Sequence, residues 1–160
     1  MVSKEWGPLH NILINELLND FMQKRVRGIL INKGMIVLIK RVKKHETYYV
    51  FPGGGVEKGE SLKGSLKREL KEELGIEANI KKLLFKRRFD KPGIDQIEYF
   101  YLCEIIGGVI GTGDGPEYDP VNKYEGTHEV LQLPIRNVKD LNLLPLEVKD
   151  LVLQNYANEK

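Results

Sequence analysis

Three glutamates, Glu69, Glu72 and Glu73, lie close together in a segment whose pattern is typical of a helix. At 100° per residue they fall within an arc of about 100°. Like charges at these spacings cost an isolated helix roughly 0.2–0.5 kcal/mol per pair, so a compensating cation is expected. Mg²⁺ takes oxygen ligands and commonly shares them with substrate phosphates. The pattern predicts a Mg²⁺ site, and the alternative is a solvated charged helix face.

Other metal chemistry has little support in the sequence. His10, His45 and His128 are widely separated, and we expect each at the surface or in packing, which makes zinc improbable. Cys103 lies in an alternating apolar run, so we predict a buried and unreactive thiol.

The helix that carries the glutamates has its own start and stop signals. Ser61 is a candidate N-cap, Gly75 follows the last helical residue, and leucines repeat every four residues between them. A strand over residues 48–51 precedes it. Pro52 and the three glycines at 53–55 then predict a tight loop with an exposed backbone.

The remaining segments predict a sheet with helices at both ends of the chain. We predict a helix over 12–21, a hairpin over 26–31 and 35–39, paired strands over 80–89 and 96–106, a strand over 130–133 and a helix over 145–157. The polar, glycine-rich stretch 107–127 lacks periodicity, and loops this long are often functional. We interpret it as an active-site loop.

Fixed spacing links these residues into one motif. Gly54 is followed after five residues by Glu60, and after seven more by the segment from Arg68 to Ile76, which reads RELKEELGI. This pattern resembles the Nudix box. With average residue usage, nine specified positions arise by chance on the order of once in ten million chains of this length. The resemblance is specific over 23 residues, and residues 26–157 are compatible with the same fold.

The resemblance implies an α+β fold, an α/β/α sandwich with a mixed β-sheet between helices. It implies a hydrolase domain over residues 25–158, preceded by a helical extension over 1–24. The implied reaction is cleavage of a phosphoanhydride bond in a nucleoside diphosphate linked to another moiety, with Mg²⁺ or Mn²⁺ as cofactor. A (d)NTP or a related nucleotide is the favoured substrate.

The resemblance also implies roles for individual residues. The metal ligands would be Glu69, Glu72, Glu73 and the Gly54 carbonyl, with Glu60 as a supporting or additional ligand. Arg68 would orient the carboxylates, since a guanidinium offers paired donors that a lysine lacks. The general base is open among Glu73 in the box and Glu117, Asp119 and Glu125 in the long loop. We favour Glu117, for which a solvated loop acid is the alternative.

Substrate contacts are predicted at Arg41, Phe51 and Arg88. Arg41 ends a strand where nucleotide-cleaving relatives can carry a phosphate-binding arginine, and Phe51 stands at the entrance of the glycine loop. An ordinary surface cation and an ordinary core aromatic are the respective alternatives.

Composition limits the other functions. The formal charge of +2 gives no field suited to long nucleic acids, and no apolar run reaches the length of about 18 residues that a membrane span needs. We expect a cytoplasmic protein, with homodimerisation through the N-terminal helix left open. Three functional alternatives remain: a nucleotide or ADP-ribose sensor without turnover, an ADP-ribose or dinucleoside polyphosphate hydrolase, and an interaction protein. An isomerase that uses a catalytic cysteine ranks last, because Cys103 is predicted to be buried.

Overall fold

The computed structural model describes residues 7–121 and 126–158. Within these two ranges the chain forms three α-helices and eight strands. In chain order they are α1 Pro8–Phe21, β1 Gln23–Asn32, β2 Met35–Lys43, β3 Glu46–Val50, β4 Gly53–Gly55, α2 Leu62–Leu74, β5 Ile76–Lys91, β6 Ile94–Gly108, β7 Thr127–Pro134, β8 Leu143–Leu144 and α3 Leu146–Tyr156. The predicted helices and the hairpin are present, with ends that differ by a few residues.

The strands form one mixed sheet in the order β5-β6-β1-β2-β3-β8, with β4 also paired to β1 and β7 paired to β2. Strands β1 and β6 run parallel, as do β3 and β8, while the other pairs are antiparallel. Residues 80–89 and 96–106 pair as predicted, within the long β5–β6 hairpin. Because β1 is paired with β6, β4 and β2, it connects the two halves of the sheet.

Alternation along the strands supplies two cores, one on each face of the sheet. On β2, Val37 and Ile39 belong to the core under α2, whereas Ile36 and Leu38 belong to the core under α3. The helix residues that complete the two cores are Leu66, Leu70 and Leu74 from α2, and Val148 and Val152 from α3. The predicted α/β/α sandwich is therefore confirmed.

Helix α2 begins and ends where its sequence predicts. The Ser61 side chain accepts a hydrogen bond from the Gly64 amide, and Gly75 ends the helix with φ of 77°. A Cβ at Gly75 would also lie 2.6 Å from the Thr112 carbonyl carbon, so glycine is required there by both conformation and space.

The three glycines at 53–55 do not form the exposed loop that the sequence predicted. They form β4, which pairs antiparallel with residues 25–27 of β1, and Gly53 and Gly54 are buried. A Cβ at Gly53 would lie 3.0 Å from the Arg27 Cα. The glycines thus permit close approach of two backbones, which local sequence rules read only as a break in structure.

The long polar stretch is only partly irregular. Strand β6 extends into it as far as Gly108, and residues Pro116–Tyr118 form a 3₁₀ turn. The candidate base Glu125 lies outside the described residues.

Helix α1 precedes the sheet and exposes Leu9, Ile12, Leu13 and Leu17. No helix within the described ranges is long and apolar enough to cross a bilayer. The predicted boundary between an extension over 1–24 and the hydrolase domain stays a prediction, although β1 already begins at Gln23. The cytoplasmic location and the homodimer also stay predictions.

Candidate active site

A cleft of about 480 Å³ opens between the sheet and one end of α2. It brings together acidic residues of α2, basic residues of β1 and β2, the glycines of β4, and residues from the polar loop and β7. The functional side chains that line it are Arg25, Arg27, Arg41, Glu57, Arg68, Glu69, Glu72, Glu73, Glu117 and His128. Most of the predicted site therefore converges in one place.

Glu73 is held on both carboxylate oxygens. Its Oε2 accepts a hydrogen bond from the Gly53 amide at 2.7 Å, and its Oε1 lies 2.8 Å from Nε2 of His128. The residue is 9% exposed. Its carboxylate is therefore fixed by β4 on one side and β7 on the other.

Glu69 packs directly against Gly54. A Cβ at Gly54 would lie 2.5 Å from the Glu69 carboxylate carbon, so any larger residue there would displace that carboxylate. Burial raises the pKa of the Glu69 carboxyl above its ordinary value, while Arg68 opposes that shift. Even with Arg68 nearby, this position disfavours a charged carboxylate.

Arg68 connects the carboxylates of the motif. Its Nε and Nη2 donate to the two oxygens of Glu60 at 2.7 and 3.0 Å, and its Nη1 donates to Glu69 at 3.2 Å and to Glu72 at 3.1 Å. Hydrogen bonds from Arg68 and from the Glu57 amide lower the pKa of Glu60 to about 2. In this fork geometry one guanidinium contacts three acids at once, as the predicted orienting role of Arg68 requires.

The polar loop clasps the C-terminal end of α2, where helix carbonyls lack partners within the helix. The Gly111 amide donates to the Leu74 carbonyl, the Gly115 amide donates to the Glu72 carbonyl, and the Tyr118 hydroxyl donates to the Glu73 carbonyl. Burial, with Glu117 and Glu73 nearby, raises the pKa of Tyr118 to about 12. The clasp places Glu117 in the cleft, where oxygens of Glu73 and Glu117 and a nitrogen of His128 lie within 4.8 Å of one another.

Arginines from β1 and β2 also line the cleft. Arg27 Nη1 donates to the carbonyls of Phe51 and Gly53, and so fixes the start of β4 against β1. Arg25 Nε is buried and has no hydrogen-bond partner among the described residues. Arg41, a predicted substrate contact, also lines the cleft.

Two predicted substrate contacts lie elsewhere. Phe51 is fully buried and packs edge-on against Phe100 at 5.8 Å, so its side chain belongs to the core under α3 and the prediction of a substrate contact is wrong. Arg88 is exposed on β5, donates to Asp95 at 2.8 Å, and does not line the cleft. Its part in substrate binding stays a prediction.

Two loop and motif acids also take positions that the sequence left open. Glu60 does not line the cleft, and both of its oxygens accept hydrogen bonds from Arg68, so it supports the site through that arginine. Asp119 is exposed and accepts a hydrogen bond from the Val121 amide.

His128, like Arg25 and Arg27, is a cleft residue that sequence reasoning missed. It was expected at the surface or in packing, yet its ring contacts Glu73, 55 positions earlier in the chain. Its place follows from the register of β7 on β2, in which His128 lies opposite Arg41. The available signal was Arg41, a predicted site residue on the strand that β7 pairs with. The register that places His128 opposite Arg41 could not be read from the sequence.

Comparison with known proteins agrees with this geometry. The family model described as the NUDIX domain matches residues 22–145. The chain belongs to the Nudix hydrolase family. The family assignment confirms the predicted enzyme class, a hydrolase of phosphorus-containing anhydrides. No curated protein matches the chain in sequence.

Solved Nudix structures share the fold at low identity. MutT, from a comparison of Aliivibrio salmonicida and Vibrio cholerae, has a TM-score of 0.63 at 23% identity, covering 84% of this chain and 98% of that chain. A Nudix hydrolase from Nitrosomonas europaea has a TM-score of 0.63 at 14% identity, with coverages of 87% and 91%. An ADP-ribose pyrophosphatase from Streptococcus suis has a TM-score of 0.56 at 20% identity, with coverages of 86% and 94%. These likenesses establish the fold.

Proposed function

We propose that this Nudix protein is a Mg²⁺-dependent pyrophosphohydrolase that cleaves a phosphoanhydride bond in a nucleoside diphosphate linked to another moiety. A (d)NTP or a related nucleotide is the proposed substrate. The observation that carries the proposal is the cleft itself, which is lined both by the α2 carboxylates and by arginines of β1 and β2. Carboxylates suit a divalent cation, and arginines suit phosphate oxygens.

The donor set fits a hard cation. Glu69, Glu72, Glu73 and Gly54 all line the cleft, and their carboxylate and carbonyl oxygens are the atoms that would hold Mg²⁺. Because Gly54 has no side chain, the Glu69 carboxylate can lie close to the β4 backbone. When bound, the ion neutralises phosphate charge and makes a bound water more acidic.

Arg25 and Arg41 are the proposed phosphate-binding residues. Arg25 Nε is a buried donor with no partner in the described part of the chain, and an unsatisfied buried donor costs about 1–3 kcal/mol. A phosphate oxygen of the substrate would accept that hydrogen bond. Burial inside the cleft strengthens such a contact relative to the same contact in water.

Glu117 is the proposed general base. Glu73 is less suited, because the lone pairs left by its hydrogen bonds to Gly53 and His128 are assigned to the metal, which would weaken it as a base. In the reaction, a water oxygen forms a bond to phosphorus, the bond from phosphorus to the leaving phosphate oxygen breaks, and the water proton passes to a Glu117 carboxylate oxygen. The Tyr118 clasp supports this role, since it keeps the residue before it near α2.

The test is a product-release assay on a panel of (d)NTPs, oxidised nucleotides, dinucleoside polyphosphates, ADP-ribose and NADH, each with Mg²⁺ and with EDTA. We expect Mg²⁺-dependent turnover of a (d)NTP or oxidised nucleotide that EDTA abolishes. Turnover confined to ADP-ribose or a dinucleoside polyphosphate would move the substrate assignment to those classes. Binding of a panel member without turnover would replace the hydrolase by a sensor.

A further inference from the structure

His128 reaches the site from a different element than the motif glutamates. It lies on β7, where the neighbouring Thr127 and Glu129 are exposed, yet its own side chain is only 8% exposed. Its Cα is paired with that of Arg41 on β2, so the sheet fixes its position in the cleft wall. The ring approaches Glu73 from the side opposite to β4.

The proton of the ring can be placed by hydrogen-bond accounting. Nδ1 of His128 is buried with no partner among the described residues, whereas Nε2 lies 2.8 Å from Glu73 Oε1. A buried N–H without an acceptor is costly, and an ionised carboxylate can only accept. The proton therefore belongs on Nε2, which donates to Glu73.

The ring is itself held in place. Tyr118 contacts it edge-on, with ring centroids 5.4 Å apart and planes at 87°. The same tyrosine donates its hydroxyl proton to the Glu73 carbonyl. His128, Tyr118 and Glu73 thus form one connected unit at the end of α2.

We propose that His128 is a positioning residue, which holds the Glu73 carboxylate at the rotation needed to bind the metal. This inference rests on the proposed function. A glutamate on a helix can turn about three side-chain torsions, and the donor from Gly53 restrains only one of its oxygens. The donor from His128 restrains the other, and each oxygen keeps a further lone pair for the cleft.

The competing explanation is that the ring only fills space between β7 and α2. A leucine would fill much of that space without donating a hydrogen bond. A glutamine would place an amide N–H near the position of Nε2. The two substitutions therefore separate the hydrogen bond from the packing.

The experiment compares wild type with His128→Leu and His128→Gln, and uses His45→Asn, in the exposed β2–β3 turn, as the matched control. Mg²⁺ affinity is measured by calorimetry without substrate, and kcat and KM are measured on the best panel nucleotide. We expect His128→Leu to weaken Mg²⁺ binding and to lower kcat, each by roughly 10–100-fold, with KM for the nucleotide nearly unchanged. His128→Gln should restore most of both losses, and His45→Asn should match wild type.

A His128→Leu variant with wild-type Mg²⁺ affinity and kcat would overturn the inference, as would a His128→Gln variant no better than His128→Leu. Thermal unfolding checks that the variants are folded, and His128→Asn, whose shorter amide cannot reach Glu73, replaces His128→Leu if the latter does not fold. A wild type that binds Mg²⁺ without turnover would remove the proposed function and leave the affinity comparison to decide on His128. A wild type that binds no Mg²⁺ would overturn both.

Discussion

Arg68 lies among three carboxylates, and its donors are directed in a way that only a guanidinium can match. It holds Glu60 with two hydrogen bonds and shares a third nitrogen between Glu69 and Glu72. The carboxylates hold it in return, and they raise the pKa of Arg68 above its ordinary value, with Glu60 the largest contributor. The carboxylates therefore add to the preference that an arginine already has for its charged form.

We predict that Arg68→Lys lowers Mg²⁺-dependent kcat/KM by roughly 10–100-fold, because one ammonium cannot orient three carboxylates. Steady-state kinetics on the preferred nucleotide measure this loss. The matched control is Lys67→Arg, an exposed neighbour on the same helix that keeps its charge. Full activity in Arg68→Lys would show that simple charge neutralisation suffices.

Substitution of Gly54 tests the effect of added side-chain volume at the site without a change of charge. An added methyl group would overlap the Glu69 carboxylate, which can move away at small cost because it is the end of a flexible side chain. We therefore predict that Gly54→Ala retains its thermal stability but loses at least about tenfold in Mg²⁺ affinity, as for other displaced metal-site groups. Calorimetric titration and thermal unfolding together check this. Unchanged Mg²⁺ affinity would show that the close contact between Gly54 and Glu69 does not contribute to metal binding.

Among the elements, the loop after β6 and helix α2 act as a pair. Three donors from the loop satisfy carbonyls of the last turn of α2, and one of those donors is the Tyr118 hydroxyl. The glutamates of that turn and the proposed base Glu117 are thereby held in one arrangement.

We predict that Tyr118→Phe lowers kcat while it reduces the free energy of unfolding by about 1 kcal/mol or less, the typical net value of one hydrogen bond. The Gly115 amide donates to the Glu72 backbone carbonyl. Its hydrogen should exchange faster in the variant, because the loop opens more often. Hydrogen exchange resolved to that segment measures the effect. Unchanged exchange with unchanged kcat would show that the hydroxyl contributes nothing to the clasp.

The same elements show which features a sequence can predict. Helix α2 was predictable because its signals are local: Ser61 caps it, leucines repeat along it, and Gly75 ends it. Strand β4 was not, because three glycines become a strand only through pairing with residues 25–27 of β1. His128 escaped prediction for a related reason, since the register of β7 on β2 decides which of its residues faces the cleft.

At the level of the whole molecule, a side chain that packs into either core is removed from the chemistry of the cleft. The core under α3 takes Phe51, and the core under α2 takes Cys103. Alternation on β6 predicted the burial of Cys103 correctly, but local sequence could not assign Phe51 to a face of the sheet. This burial also argues against chemistry that uses a catalytic cysteine.

We predict that native Cys103 reacts with an aromatic disulfide reagent only as fast as the protein opens, while the denatured chain reacts at once. Burial raises the pKa of this thiol to about 12, so the folded protein keeps the thiol proton at pH values where the unfolded chain loses it. The associated stability is present below about pH 9 and is lost as the pH rises toward 12. Rapid stoichiometric labelling of the native protein at pH 8 would contradict the burial.

The central claim is that the α2 carboxylates bind the metal that makes this Nudix protein a hydrolase. The most direct measurement is the Mg²⁺-dependent kcat of Glu72→Gln on the preferred nucleotide, beside Glu147→Gln on the exposed face of α3. We expect Glu72→Gln to lower kcat by roughly two orders of magnitude or more and Glu147→Gln to match wild type. The reason is that the loss of even an outer partner of a metal ligand typically costs about 10–100-fold. Equal turnover in the two variants, or turnover that persists in EDTA, would contradict the account.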